Sequence, residues 1–172
     1  MTNYKTIPTW NEGVWEETTF KTLEDFREFI DKIFNEPGKY EFDDTSFVFN
    51  EEATKFNKQG FYCDKPMRSK DFMTYWEDQK NKCREGVIYK NKGNTWYLTR
   101  DYYMWLNFLP IFDKEEKAYG FAKVRDAQYH MALYEIMAEI NYKHVAILKK
   151  RQIASSYFHM GKLLNMYWFE EG

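Results

Sequence analysis

Apolar residues recur at helical spacing in three stretches of the chain. Leu23, Phe26, Ile30, Ile33 and Phe34 share one face after Thr22, a good helix cap, and Pro37 and Gly38 end the run. Phe72, Tyr75, Trp76, Gln79 and Cys83 repeat the pattern between Ser69, again a cap, and Gly86. Tyr129, Ala132, Leu133, Ile136, Met137 and Ile140 line one side of a third stretch, from Val124 to about Asn141. Val87 to Tyr89 and Thr95 to Leu98 flank Lys90-Asn91-Lys92-Gly93-Asn94, which predicts a hairpin. The aromatic run Asp101 to Ile111 then predicts a short buried helix stopped by Pro110. Residues 1–20 carry no such period and read as irregular. Glu41 to Glu52, with Phe42, Phe47 and Phe49 around Asp43-Asp44, reads as short extended pieces joined by a turn.

The pattern changes at His144. His144-Val145-Ala146-Ile147-Leu148 is a continuous apolar run, the signature of a strand buried on both faces of a parallel sheet. A polar turn, Lys149 to Ser156, follows, and Tyr157 to about Phe169 reads as a helix. A strand entering a helix through such a turn aims backbone N–H groups and the positive end of the helix dipole at one point, which suits a triphosphate. The usual order of such a loop is GxxxxGK[ST], with the Lys on phosphate and the hydroxyl on magnesium. With Ser156 in the hydroxyl position, Ser155 stands where the Lys belongs and Ala154 where the last Gly belongs. Positive charge comes earlier, from Lys149, Lys150 and Arg151. On spacing alone, a solvated basic turn between core elements remains the alternative.

Composition narrows the class. A chain of 172 residues, 44% hydrophobic and 20% aromatic with 4 Pro and 8 Gly, is long enough for an ordered core. The net charge of -2 gives no general attraction to nucleic acid, but residues 1–60 sum to -6 and residues 121–172 to +2. Cys63 and Cys83 form no CxxC pair, and His130, His144 and His159 have no metal-ligand spacing, so neither a disulfide framework nor a zinc site is indicated. No apolar stretch approaches the ~18 residues of a membrane span, and a signal sequence is not evident. Met160-Gly161-Lys162 falls inside the last helix without a strand before it, and the aromatic run reads as core rather than a base-stacking platform.

Gln128-Tyr129-His130, a helix, and then Lys143 through Ser156 resemble the start of the ATPase domain in the large terminase subunits of tailed phages. Upstream, Gly60-Phe61-Tyr62 with Pro66, Tyr75-Trp76-x-x-Gln79 with Cys83 and Gly86, and Tyr102 to Ile111 resemble the N-terminal region of terminases from crAss-like and related phages. Arg151-Gln152 matches one variant of that family's loop, and Lys149 with Ser156 matches another.

The resemblance implies an α/β protein. A mainly helical, aromatic-rich N-terminal region with a small hairpin would lead into the first strand, loop and helix of a P-loop ATPase domain, here truncated. The divisions are 1–20, irregular; 21–120, the N-terminal region; and 121–172, the beginning of the ATPase domain. By the same resemblance Gln128 would read adenine, Lys149 and Arg151 would act in catalysis, and Ser156 would hold Mg²⁺. Lys150, Gln152, Ile153, Ala154 and Ser155 would complete the nucleotide loop. The cofactors would be ATP and Mg²⁺. The whole protein would package double-stranded viral DNA, oligomerised on the portal and aided by the small terminase subunit, in the host cytoplasm and transiently at the procapsid. A C-terminal nuclease is left open. The acidic pair that hydrolysis requires after a second strand is not found, and Glu170-Glu171 follows a helical stretch and reads as a solvated end. The chain therefore reads as the N-terminal piece of a longer protein. Two alternatives stand beside this: a non-catalytic module docking to portal or small subunit, and an ATPase or helicase unrelated to packaging.

Overall fold

The computed structural model describes residues 4–35, 47–113, 117–149 and 154–169. Its centre is a mixed four-stranded sheet made of two hairpins. Strands β1 (Lys5–Asn11) and β2 (Val14–Phe20) form the first, and β3 (Val87–Asn91) and β4 (Asn94–Leu98) the second. The order is β2-β1-β3-β4, and the hairpins join through parallel pairing of Thr9, Trp10 and Asn11 with Ile88, Tyr89 and Lys90. Both hairpins turn on two residues with positive φ, Glu12 and Gly13 at 47° and 100°, Lys92 and Gly93 at 49° and 76°. These are the type I′ values that match strand twist. The two turns touch, since the Lys92 N–H donates to Glu12 Oε1 at 3.0 Å and the Glu12 N–H donates to the Lys90 carbonyl at 3.0 Å.

Helices cover both faces of this sheet. On one side α1 (Leu23–Asn35) brings Phe26 and Phe29 against Phe20 and Tyr97. Its start is a reciprocal cap, the Asp25 N–H donating to Thr22 Oγ1 and the Thr22 N–H to Asp25 Oδ2. On the other side a 3-10 turn (Phe47–Asn50) sets Phe49 against Tyr89 and Trp96, followed by α2 (Glu51–Gln59) and α3 (Lys70–Glu85). The aromatic helix α4 (Arg100–Phe108) buries every residue from Asp101 to Asn107. A second two-stranded sheet, β5 (Pro110–Asp113) with β6 (Ala118–Phe121), leads to α5 (Asp126–Ile140) and finally α6 (Ser155–Phe169).

The α/β class and the helices at 23–35, 70–85, 100–108 and 126–140 agree with the periodicities. Three expectations are corrected. Residues 5–20 are a hairpin, not irregular chain: Asn11-Glu12-Gly13 is its turn, and most of β2 is exposed on both faces, which removes the apolar alternation that marks a strand. Residues 47–59 are helical, while Phe42, Asp43 and Asp44 lie outside the described residues. The start of α2 is capped by a distant residue, the Glu52 N–H donating to Asn107 Oδ1 at 3.1 Å, so no local signal announces it. The strand expected at His144–Leu148 is the third, and it belongs to the site.

Candidate functional site

Residues 143–149 form no strand, and most of their surface is exposed, Leu148 completely. The physical reason is backbone hydrogen bonding: a strand buried on both faces needs neighbours, and no described strand pairs with this segment. The helix after the turn does form, starting at Ser155, two residues earlier than the periodicity places it. Ala154 accepts the first helical bond, from the Phe158 N–H at 3.0 Å, and so occupies the cap position, with φ at 54°. A cap alanine offers the N–H groups of Ser155, Ser156 and Tyr157 no side-chain oxygen. The start of α6 therefore keeps the donors and the dipole that an anion requires.

Left-handed φ is strained for alanine and free for glycine. Ala154→Gly is accordingly expected to raise the unfolding free energy by up to about 1 kcal/mol, read from urea denaturation. A loss of stability would mean that this backbone conformation is not held in solution.

The structure gathers part of the expected set. Ser156 is exposed in the first turn of α6, and Ser155 is buried beside it. Lys149 is exposed at the end of the segment that leads to them. Lys150, Arg151, Gln152 and Ile153 lie outside the described residues. Gln128 sits in the first turn of α5 and is 3% exposed, so its side chain is enclosed by protein rather than presented at the surface. Its end of α5 lies near the start of α6, because the Tyr102 ring packs against both Tyr129 and Phe158, each at 6.1 Å between centroids.

Beneath the start of α6 lies a polar cluster that the site expectations omit. Glu135 of α5 places Oε1 2.9 Å from His159 Nε2 and Oε2 3.1 Å from Lys162 Nζ. His159 Nδ1 donates to the Ser155 carbonyl at 2.6 Å and lies 3.2 Å from Ser155 Oγ. Lys162 Nζ is also 3.8 Å from Glu139 and 3.9 Å from Asp101, and Arg100 pairs with Glu139 at 2.7 Å. Asn165 Nδ2 donates to Asp101 Oδ1 at 2.9 Å and to the Cys83 carbonyl at 3.0 Å. Burial pushes the Asp101 carboxyl above its ordinary range, against the Asn165 hydrogen bond and the Arg100 and Lys162 charges that draw it down. Ser155, His159, Lys162 and Asn165 recur at helical spacing on an otherwise apolar helix, and that stripe was the available signal.

A groove of about 520 Å³ opens above this cluster, between α5, residues 143–147 and α6. Among the described residues no group of three or more His, Cys, Asp or Glu is arranged to hold a metal ion, and no helix is long and apolar enough to cross a membrane. No protein-family model, curated protein or solved structure matches the chain.

Proposed function

We propose that residues 149–169 are the phosphate-binding turn and first helix of the ATPase domain of a large terminase subunit, the motor that packages double-stranded viral DNA. In this reading ATP and Mg²⁺ bind at the turn: Lys149 and Arg151 meet the phosphates, and Ser156 meets the magnesium. The portal and the small terminase subunit are the partners of the whole protein.

The observation that carries the proposal is an apolar surface on both sides of one helix. The inner side of α6 buries Phe158 and Gly161 against α4, where a Cβ on Gly161 would lie 2.6 Å from Leu109 Cδ1. Its outer side exposes Tyr157, Met160, Leu163, Tyr167 and Trp168. Apart from its polar stripe the helix is apolar on both sides, and an apolar outer face of this size calls for a covering layer. Beside it Ile147 and Leu148 are exposed on an unpaired apolar run. A further layer that packs on the outer face of α6 and on Ile147 and Leu148 covers both at once, as the neighbouring layers of an α/β domain do.

The test is titration of a non-hydrolysable ATP analogue with Mg²⁺ into the protein expressed from the whole gene. Lys149→Ala and Arg151→Ala are each expected to weaken binding by about tenfold or more. Equal affinity in both variants removes the site assignment.

A further inference from the structure

We propose that the cavity between α3, α4 and the end of α6 is a binding site for one neutral aromatic ring, the phenyl group of a small molecule. The site lies apart from the turn before α6 and requires no nucleotide there.

The cavity holds about 130 Å³. From α3 come Trp76, Gln79, Lys80 and Cys83, whose spacing puts them on one helix face. From α4 come Met104 and Phe108, one turn apart, and Trp168 and Phe169 of α6 complete the wall. Gln79, Cys83 and Met104, each at most 3% exposed, form the inner part, and the more exposed rings form the rim. Two of those rings, Trp76 and Phe108, pack on each other with centroids 6.4 Å apart.

No polar surface opens into the cavity, because the polar groups of its inner wall are engaged elsewhere. Gln79 Oε1 accepts from the Tyr103 hydroxyl at 2.6 Å, and Gln79 Nε2 donates to Asp78 at 3.1 Å. The Cys83 carbonyl accepts from Asn165 Nδ2 at 3.0 Å. Burial pushes the Cys83 thiol up to about 12, so it carries no charge at neutral pH. These same bonds tie α3 to α4 and to α6, so the site is formed before any ligand arrives.

The wall selects its occupant by chemistry and by size. A charged or hydrogen-bonding group placed inside would lose its water and gain no partner. A dry apolar cavity of ~150 Å³ takes one benzene, so this one holds a single ring. Aromatic rings around the rim and the sulfurs of Met104 and Cys83 within favour an aromatic ring over an aliphatic one.

The test is titration of benzene into the full chain carrying ¹³C-methyl methionine. The Met104 methyl signal, assigned with Met104→Leu, is expected to shift saturably with a Kd of about 1 mM or tighter. Met131 of α5, buried outside the cavity, is expected to stay still. Cyclohexane should bind at least about fivefold more weakly than benzene. Cys83→Met, which extends a side chain into the cavity, should weaken benzene binding at least about tenfold. Should that variant not fold, nuclear Overhauser contacts between benzene and the Met104 methyl of the wild type decide in its place, and their absence overturns the site. No saturable shift at Met104, or equal affinity in folded Cys83→Met, overturns it too. Cyclohexane bound as tightly as benzene overturns the assignment to an aromatic ring.

Discussion

Gly86→Ala is expected to cost about 3 kcal/mol or more of folding stability. Gly86 ends α3, its N–H donating to the Lys82 carbonyl at 2.9 Å, and turns the chain directly into the central strand β3. Its φ of 79° and ψ of -171° fall in a region that essentially only glycine occupies, where strain alone costs about 1–3 kcal/mol. Space is lacking too. A Cβ would lie 2.4 Å from the Leu98 carbonyl oxygen and 2.7 Å from the Tyr97 ring. The first atom is backbone paired across the hairpin to Val87, and the ring is fully buried with its hydroxyl donating to the Glu85 carbonyl, so neither yields cheaply. Urea denaturation checks the expectation: the midpoint falls with the slope unchanged. A loss below about 0.5 kcal/mol would contradict the described end of α3.

Lys162→Met is expected to cost about 2–4 kcal/mol at neutral pH, somewhat below the ~3–5 kcal/mol of breaking a fully buried pair because the cluster is partly open to water. Lys162 is the shared cation of Asp101, Glu135 and Glu139, and its side chain is 20% exposed. Methionine keeps the packing volume and leaves those carboxylates without that charge. The loss should depend on pH through Asp101, which burial already holds above the ordinary carboxyl range. A raised carboxyl favours folding most when protonated, so its contribution is complete at acid pH and lost as pH rises through the folded value. Lys162 opposes that rise, and its removal extends it. The difference between wild type and variant should therefore shrink from pH 8 towards pH 4. A difference that grows on acidification would show that Asp101 does not feel Lys162.

These residues also show what was legible from sequence. Ser69 and Thr22 are local caps followed by regular apolar spacing, and the helices after them stand where periodicity puts them. The first hairpin was hidden because edge strand β2 leaves Val14, Trp15, Glu16 and Glu17 exposed on both faces, so polarity there reports position in the sheet rather than absence of structure. Helix α2 depends on Asn107, 55 residues away, a contact that no local window contains. At the site, the helix after the turn was legible. The strand was not realised, because an apolar run specifies burial but cannot supply the neighbours that pair with it. Lys162 was set aside for lacking a preceding strand, yet its importance lies in the carboxylates of α4 and α5 that folding brings around it.

The central claim is that the turn before α6 is a phosphate-binding loop with its lysine at the front. Isothermal titration of the Mg²⁺–ATP analogue into the protein expressed from the whole gene tests it most directly. The account predicts saturable, Mg²⁺-dependent binding to the wild type, weakened about tenfold or more by Lys149→Ala and by Arg151→Ala in variants that melt at the wild-type temperature. Binding that is absent, or equally tight in all three proteins, would contradict it.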